Sequence, residues 1–492
     1  MISRQFFKSS IIYSIVGALP YASGFLLLPW FTSFLTPVQF GVNALYITLM
    51  YFFQIIASIG LDVSTGVLYF DFKDSQLKLK KFLGTVFLGL VGTGFFTILV
   101  FSVGGFKLFN VIFHSAGILE FLPFGLLTVL SSVFNTIFKT YTTLLINQER
   151  PIRFFWMNGL NFILTICSSL FILYLFPFTL FGPILGRLIP AITSASLTLF
   201  LISTEYGIAF DKSLIKQILR YCLPLFVYSI LSWIVSYADR FIILRFLSDP
   251  TYVGIYDFGV KLVLFLDLII VGIISTVQPK VFNIWKIQHL NQSTTEVNRY
   301  YNGVTALILM LVPVFVILAP IIIPLFIKKE IYYGAFSFIS ILSLGYVTRT
   351  WFYMFMAPLM FFKKTEILPK IFFISALFQV IAGVFLIKYF GIMGAVWTNF
   401  LVKPLQAILL YVESRKVFSY KLNQWKLVYI PVIFIFVVLI SEILSKNFPK
   451  IYFQIGHCFI AFILLYFAYR KEIILLISKR DRFIKFGRFK DG

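Results

Sequence analysis

Charge is what this sequence lacks. Of its 492 residues only 12% are Asp, Glu, Lys or Arg, about half the share of a soluble domain. Acidic residues are scarcer still, 19 against 42 basic ones. Cysteine is nearly missing. Cys167, Cys222 and Cys458 lie in or beside apolar runs, which excludes a disulfide framework and a zinc-binding spacing. The three histidines, His114, His289 and His457, stand far apart in unlike segments, so no metal centre is expected. There is no nucleophile–base pair, Walker loop or metal-ligand cluster. That excludes a self-contained ATP-driven pump, argues against an enzyme and leaves no cofactor to expect. Long loops are missing too. The largest, 61–81 and 277–300, are too short to hold the aqueous catalytic domain of a polymerase or glycosyltransferase.

What fills the chain is apolar. Hydrophobic residues make up 60% of it, 62 of them Phe, and the mean hydropathy is +0.95. Many runs approach the ~20 residues a helix needs to cross a bilayer core. Helices alone can span it here, because they satisfy their backbone groups internally. The sequence therefore predicts an all-α membrane protein of about fourteen transmembrane helices. The first is placed at 10–33, uncleaved because its apolar run outlasts a signal-peptide core; the last is placed at 452–469. Between them come, among others, 39–60, 82–104, 221–247, 253–276 and 334–361. Lys and Arg favour alternate connecting segments by about five to one, which places both termini in the cytoplasm. The net charge of +23 is thereby explained as topology, with no basic domain for nucleic acid. The tail 470–492 is basic, either a surface helix drawn to anionic lipid or a topology anchor.

The chain also echoes itself. "FLTPVQFGV" at 34–42 returns as "FLSDPTYVGI" at 246–255, and "FGPILGRLI" at 181–189 as "FGIMGAVWT" at 390–398, at offsets of 213 and 209 residues. Each repeat holds six spans, so both insert with one orientation. This predicts an N-lobe over 1–210 and a C-lobe over 211–412, two parallel six-helix lobes around a central cavity, with helices 13–14 over 413–469. Transporters built from such repeats place the substrate between the halves near the midplane.

Ionisable residues inside spans are costly and face a bundle interior or water. The basic ones are Lys139, Arg187, Arg240, Arg245, Lys261, Arg349 and Lys403; the acidic ones are Glu120, Asp239, Asp257 and Asp267, with Asp62 just beyond a span. Bases outnumber acids, which makes the expected interior electropositive. Arg187, Arg240, Arg349 and Lys403 are expected in the cavity, with helix-end anchoring as the alternative. Arg245, Glu120 and Asp62 lie near span ends, where they can reach headgroups or water. Asp257 and Lys261, four apart, have the spacing of an intrahelical ion pair. Asp239 and Arg240 are adjacent, about 100° apart around their helix, and are expected to serve separate contacts. Guanidinium groups in a low-dielectric cleft suit a phosphate ligand. Gly17, Pro20, Gly24 and Pro29 in the first span and Pro224 in the seventh mark kinks, either static or hinged.

"LRYCLPLFVYSILSWIVSYADRFIILRFLSDPTYVGIYDFGVKL" at 219–262 resembles the corresponding region of bacterial polysaccharide flippases. These are the O-antigen and exopolysaccharide exporters of the multidrug/oligosaccharidyl-lipid/polysaccharide superfamily. "LLLPWFTSFLTPVQFGVNALYITL" at 26–49 and "IASIGLDVSTGVLYFD" at 56–71 resemble its opening helices, and the glycine pairs Gly182–Gly186 and Gly391–Gly394 fit it as well. The resemblance spans helices one to twelve. It implies transfer of an undecaprenyl-diphosphate-linked oligosaccharide across the bacterial inner membrane, for surface polysaccharide such as O-antigen, lipopolysaccharide or exopolysaccharide. Membrane lipid would be a partner, with room for a polysaccharide polymerase. It carries over Asp239 and Arg240 as a matched pair, with Arg240 the first candidate to dock the diphosphate headgroup. Arg187, Arg349, Lys403, Lys139 and Lys261 stand as further candidate substrate-binding residues, and Asp239, Asp257 and Asp267 as candidates for coupling H⁺ or Na⁺. The membrane potential is the alternative driver. A drug or metabolite exporter and a peptidoglycan-precursor flippase remain open on the same architecture.

Overall fold

The structure, a computed structural model, describes residues 13, 16–17, 19–113, 119–207, 209–287, 294–418, 421–444, 455–464 and 466–470. Among these residues there is no strand. The helices used below are α1 (Leu19–Leu26), α2 (Leu28–Phe34), α3 (Pro37–Ser58), α4 (Leu61–Val67), α5 (Gln76–Phe113), α6 (Leu126–Asn147), α7 (Pro151–Leu175) and α8 (Phe181–Tyr206). They are followed by α9 (Lys212–Leu247), α10 (Pro250–Ile287), α11 (Thr294–Phe326), α12 (Ile339–Val347), α13 (Arg349–Phe361), α14 (Leu368–Phe390), α15 (Ile392–Val417) and α16 (Ile430–Leu444).

Eleven helices among the described residues are long and apolar enough to cross a membrane; a pair bent by 48°, Glu330–Ser337 with Ile339–Phe361, makes twelve. The other two of the fourteen expected spans fall partly outside the described residues. The first appears as α1 and α2, broken at Leu27 just before Pro29. The last is represented by helical residues 455–464 and 466–470. The basic tail beyond residue 470, His114 and His289 lie outside the described residues.

Local chemistry sets the helix ends. Thr36 caps α3: its hydroxyl accepts from the Gln39 amide at 3.2 Å while Gln39 Oε1 accepts from the Thr36 amide at 3.0 Å. This reciprocal box satisfies two backbone donors that would otherwise be orphaned, and Pro37 at the first position lacks a donor to waste. The same helix stops at Ile59 and Gly60, both left-handed at φ 46° and 79°. Asp211 caps α9 by accepting from the Ser213 amide at 3.0 Å. At the far end of α9, Ser248 turns left-handed at φ 59°, and α10 begins two residues later on Pro250.

The chain forms two compact units. One comprises 1–258, 327–332 and 368–395; the other comprises 259–326, 333–367 and 396–492. In the first, α8 lies so close to α7 that side chains at Gly182 and Gly186 would run into Leu173 and Ser169. Small residues bring membrane helices together in this way, since lipid tails supply no hydrophobic drive between them. Ser132 of α6 donates to the Met50 carbonyl of α3 at 2.9 Å, and Trp233 of α9 donates to the Thr48 carbonyl at 3.0 Å. In the second unit, Trp285 packs among Phe282, Phe361 and Phe418, with ring centroids 5.4–6.0 Å apart. Trp351 donates to the Leu427 carbonyl at 2.5 Å.

Candidate functional site

The tight turn at Ser248–Asp249 folds α10 back on α9, and this brings residues near 240 beside residues near 257. Arg240 sits at the centre. Its Nη1 donates to Asp239 Oδ1 at 2.9 Å and to the Ser236 carbonyl at 3.1 Å, and its Nε donates to Asp257 Oδ1 at 2.9 Å. Nη2 completes a fork on the same Asp257 oxygen at 2.9 Å. Tyr256 donates its hydroxyl to Asp239 Oδ2 at 2.5 Å. The side chains are sealed, Arg240 being 4% exposed and Asp239 0%. Two carboxylates on one guanidinium leave this cluster one negative charge in excess when all three groups are ionised.

The expectation that Asp239 and Arg240 would serve separate contacts is corrected here. Adjacent Cβ atoms do diverge by about 100°, but the long arginine chain curls back, and Asp239 also accepts from the Arg240 amide at 2.9 Å. Around the cluster, Tyr237 lies 5.1 Å from the guanidinium and stacks on Tyr51 of α3 at 5.4 Å.

A second group lies in the other unit. Arg349, the first residue of α13, contacts Asp267 of α10 through Nε alone, at 3.2 Å. Both side chains are about a quarter exposed, 25% and 24%. The guanidinium carbon is 4.8 Å from the Phe352 ring and 5.1 Å from Tyr353. Beside them Lys403 of α15 donates to Asn399 Oδ1 at 2.7 Å and sits 4.6 Å over the Tyr346 ring. Gly345 makes this passage of the lysine chain feasible, because a Cβ there would stand 2.7 Å from Lys403 Cδ. Asp267, Arg349 and Tyr353 are all within electrostatic range of Tyr346. Arg349, Asp267 and Lys403, predicted separately, thus gather with two tyrosines and a phenylalanine that hydropathy could not single out. The terminal nitrogens of Arg349 carry no hydrogen bond among the described residues, so the guanidinium presents an open edge.

The remaining candidates are dispersed. Lys139 on α6 is exposed and stands 3.8 Å from Asp62. Lys261 is half-buried on α10, one turn beyond Asp257. Arg187 on α8 is half-buried, donates to the Pro183 carbonyl at 2.8 Å and lies 5.9 Å from the Phe31 ring. Of the acidic residues placed near span ends, Glu120 is exposed and accepts the Tyr46 hydroxyl on its main-chain oxygen at 2.7 Å. Among the described residues, no three His, Cys, Asp or Glu side chains gather as a metal site.

Several solved structures share this fold. A lipid II flippase MurJ in an inward closed conformation matches at 15% identity and a TM-score of 0.66, covering 96% of this chain and 98% of its own. An inward-facing multidrug resistance MATE transporter of the MOP superfamily matches at 14% and 0.64, covering 83% and 94%. An outward-facing MATE transporter of that superfamily matches at 14% and 0.60, covering 83% and 95%. Among curated proteins, no sequence matches. These likenesses show a helical membrane fold of the kind those flippase and transporter structures have. The sequence specifies which family. Residues 6–285 match the model of the polysaccharide biosynthesis proteins, and the chain belongs to that family.

Proposed function

We propose that this protein flips an undecaprenyl-diphosphate-linked oligosaccharide from the inner to the outer leaflet of a bacterial cytoplasmic membrane, supplying surface polysaccharide synthesis. Both termini lie in the cytoplasm in this reading, as the basic segments require. The observation that carries it is the open edge of Arg349, held in a partly exposed setting by one bond to Asp267. Two parallel N–H groups on a fixed plane match the oxygens of a phosphate. Lys403 adds a second positive charge nearby, and Tyr346 and Tyr353 offer ring faces to sugar. The prenyl tail stays in lipid throughout.

Movement comes from alternating access of the two repeats, 1–210 and 211–412, around the bound headgroup. The sealed Asp239–Arg240–Asp257 cluster serves coupling rather than docking, because its guanidinium is already occupied by carboxylates. Uptake of one H⁺ or Na⁺ cancels its excess negative charge and loosens the fork. A flippase of peptidoglycan precursors would use the same diphosphate chemistry, and the match to a lipid II flippase makes it the reading to discriminate against.

Deletion of the gene in its own host tests the assignment. Loss of surface polysaccharide, with lipid-linked repeat units accumulating on the inner leaflet and cell-wall synthesis intact, is the expected result. Intact surface polysaccharide with arrested cell-wall synthesis would transfer the assignment to the peptidoglycan precursor.

A further inference from the structure

Where α7 begins, a cleft of about 570 Å³ opens between its first turns and the end of α8. α7 is an apolar span, so this end of it lies at the level of lipid headgroups. Arg150 and Arg153 form the polar side of the cleft together with Glu205 of α8. Each arginine uses one terminal nitrogen on a different oxygen of that carboxylate: Arg150 Nη1 donates to Oε1, and Arg153 Nη1 to Oε2 at 2.5 Å. Both side chains stay open to the outside, 38% and 40% exposed. Nε and Nη2 of Arg150 make no hydrogen bond among the described residues.

Charge selects the kind of ligand. Two guanidinium groups on one carboxylate leave one positive charge in excess. The neighbouring Glu149 is exposed and lies within electrostatic range of Tyr13. It is offset by the exposed Lys80, whose Nζ would stand 2.9 Å from a Cβ on Gly207, two residues beyond Glu205. No side chain caps α7, so the unpaired amides of its first turn add the positive end of the helix dipole. Such a cleft favours a phosphate, whose oxygens match the planar forks of arginine.

The apolar wall selects the source of that phosphate. Ile152 and Trp156 line the cleft and are 71% and 67% exposed. They begin a stripe that continues through Phe155, Leu160 and Ile163, all exposed and all at helical spacing. Gly159 leaves a gap in the middle, for a Cβ there would meet nothing within 4 Å. From residue 152 to residue 163 the stripe runs about 16 Å, close to half of a bilayer core of ~30 Å. Free phosphate has no use for this track, whereas an acyl chain of one leaflet matches its length.

We propose that the cleft holds the headgroup phosphate of one anionic phospholipid, with an acyl chain laid along the α7 stripe. The leaflet is the cytoplasmic one in the orientation proposed above; the binding itself does not rest on that reading. The lipid joins the first turn of α7 to the end of α8 and so is a structural ligand of the first unit, separate from the Arg349 cluster.

The test places full-length protein in phosphatidylcholine vesicles that carry, as a minor component, bromine-labelled phosphatidylglycerol or bromine-labelled phosphatidylcholine. Bromine quenches nearby tryptophan, and the readout is the quenching that disappears in Trp156→Phe. Other basic segments also draw anionic lipid, and this subtraction confines the signal to the cleft. Phosphatidylglycerol is expected to quench Trp156 more than phosphatidylcholine does at equal content. Arg150→Gln and Arg153→Gln should each cut that preference by about fivefold, the share of one basic residue near a charged surface. Glu205→Gln frees both guanidinium groups and should raise it by a similar factor. If the arginine variants do not fold, Glu205→Gln carries the test by itself. Equal quenching by the two lipids in wild type, or an unchanged preference in any folded variant, overturns the proposal. So does a preference abolished by millimolar inorganic phosphate at constant ionic strength, which would make free phosphate the ligand. Because no lipid-linked oligosaccharide is present, failure of the flippase reading would leave this outcome unaffected.

Discussion

Gly41 and Gly254 lie back to back. A Cβ built on Gly254 would stand 3.1 Å from the Gly41 nitrogen and 3.3 Å from its Cα, and one built on Gly41 would collide with the Pro250 carbonyl. The two glycines hold the same place in the echoed stretches "FLTPVQFGV" and "FLSDPTYVGI". Internal repetition thus places one bare patch of backbone against its own counterpart, where α3 and α10 begin. Next to it Lys329 donates to the Leu35 carbonyl at 2.7 Å, and Tyr332 packs 5.1 Å from Phe40 and 5.3 Å from Phe258. In the proposed transport cycle this seam is what must part.

Gly41→Leu is therefore expected to abolish transport while leaving the chain in the membrane, because the obstacle it meets is backbone and cannot rotate aside. Overpacking of this kind costs about 1–3 kcal/mol, read as a lower unfolding midpoint. Gly24→Ala is the control, since a Cβ at Gly24 meets nothing within 4 Å. Equal flipping rates for both variants would show that the seam does not have to close.

Removing Arg240 strands two buried carboxylates. Arg240→Met is expected to lower stability by about 3–5 kcal/mol, the usual result of breaking one side of a buried ion pair. Adding Asp239→Asn and Asp257→Asn should recover much of that loss, and a double-mutant cycle between positions 240 and 257 should show strong coupling. Denaturation in detergent measures both. Additive losses would mean that the cluster does not act as a unit.

Arg349→Lys separates charge from shape. It preserves the cation but gives up the planar fork, so flipping should fall by roughly tenfold, equivalent to one charge-assisted hydrogen bond. Stability should hardly change, because its bond to Asp267 is single and partly exposed. A large drop in stability with normal flipping would make the residue structural.

The cap of α9 responds to acid. Asp211 accepts from the Ser213 hydroxyl at 2.6 Å as well as from its amide, and Lys81 lies 3.5 Å away. These contacts, the Ser213 hydroxyl foremost, hold the Asp211 carboxyl below its ordinary value of 3.8. A depressed carboxylate adds stability above that ordinary value, and the contribution fades as pH falls through the lowered one. Amide exchange at Ser213–Ile215 should therefore quicken only under acid conditions, and Asp211→Asn should remove that dependence.

Most of the architecture was readable because a bilayer imposes one rule on every span. The expected 253–276 lies inside α10, which runs to Ile287 because Gln278, Lys280 and Lys286 end the apolar run without ending the helix. The expected 334–361 appears as a helical pair bent by 48°. Phe338 breaks it at φ −126° and ψ 2°, with no proline to mark the place. Less of the site was readable. Arg349 and Asp267 are 82 residues apart, and no periodicity joins them. Asn43 and Ser131 are neutral, and only their lack of hydrogen-bond partners in the fold sets them apart from other polar residues of their helices.

The central claim is that the protein moves a diphosphate-linked glycolipid through contacts centred on Arg349. Reconstitution in vesicles with undecaprenyl-diphosphate-linked oligosaccharide on one leaflet, followed by its appearance on the other, measures this directly. The account predicts transport by wild type and severe loss with Arg349→Ala at unchanged folding. Unimpaired transport by that variant, or no transport of the glycolipid by wild type, would contradict it.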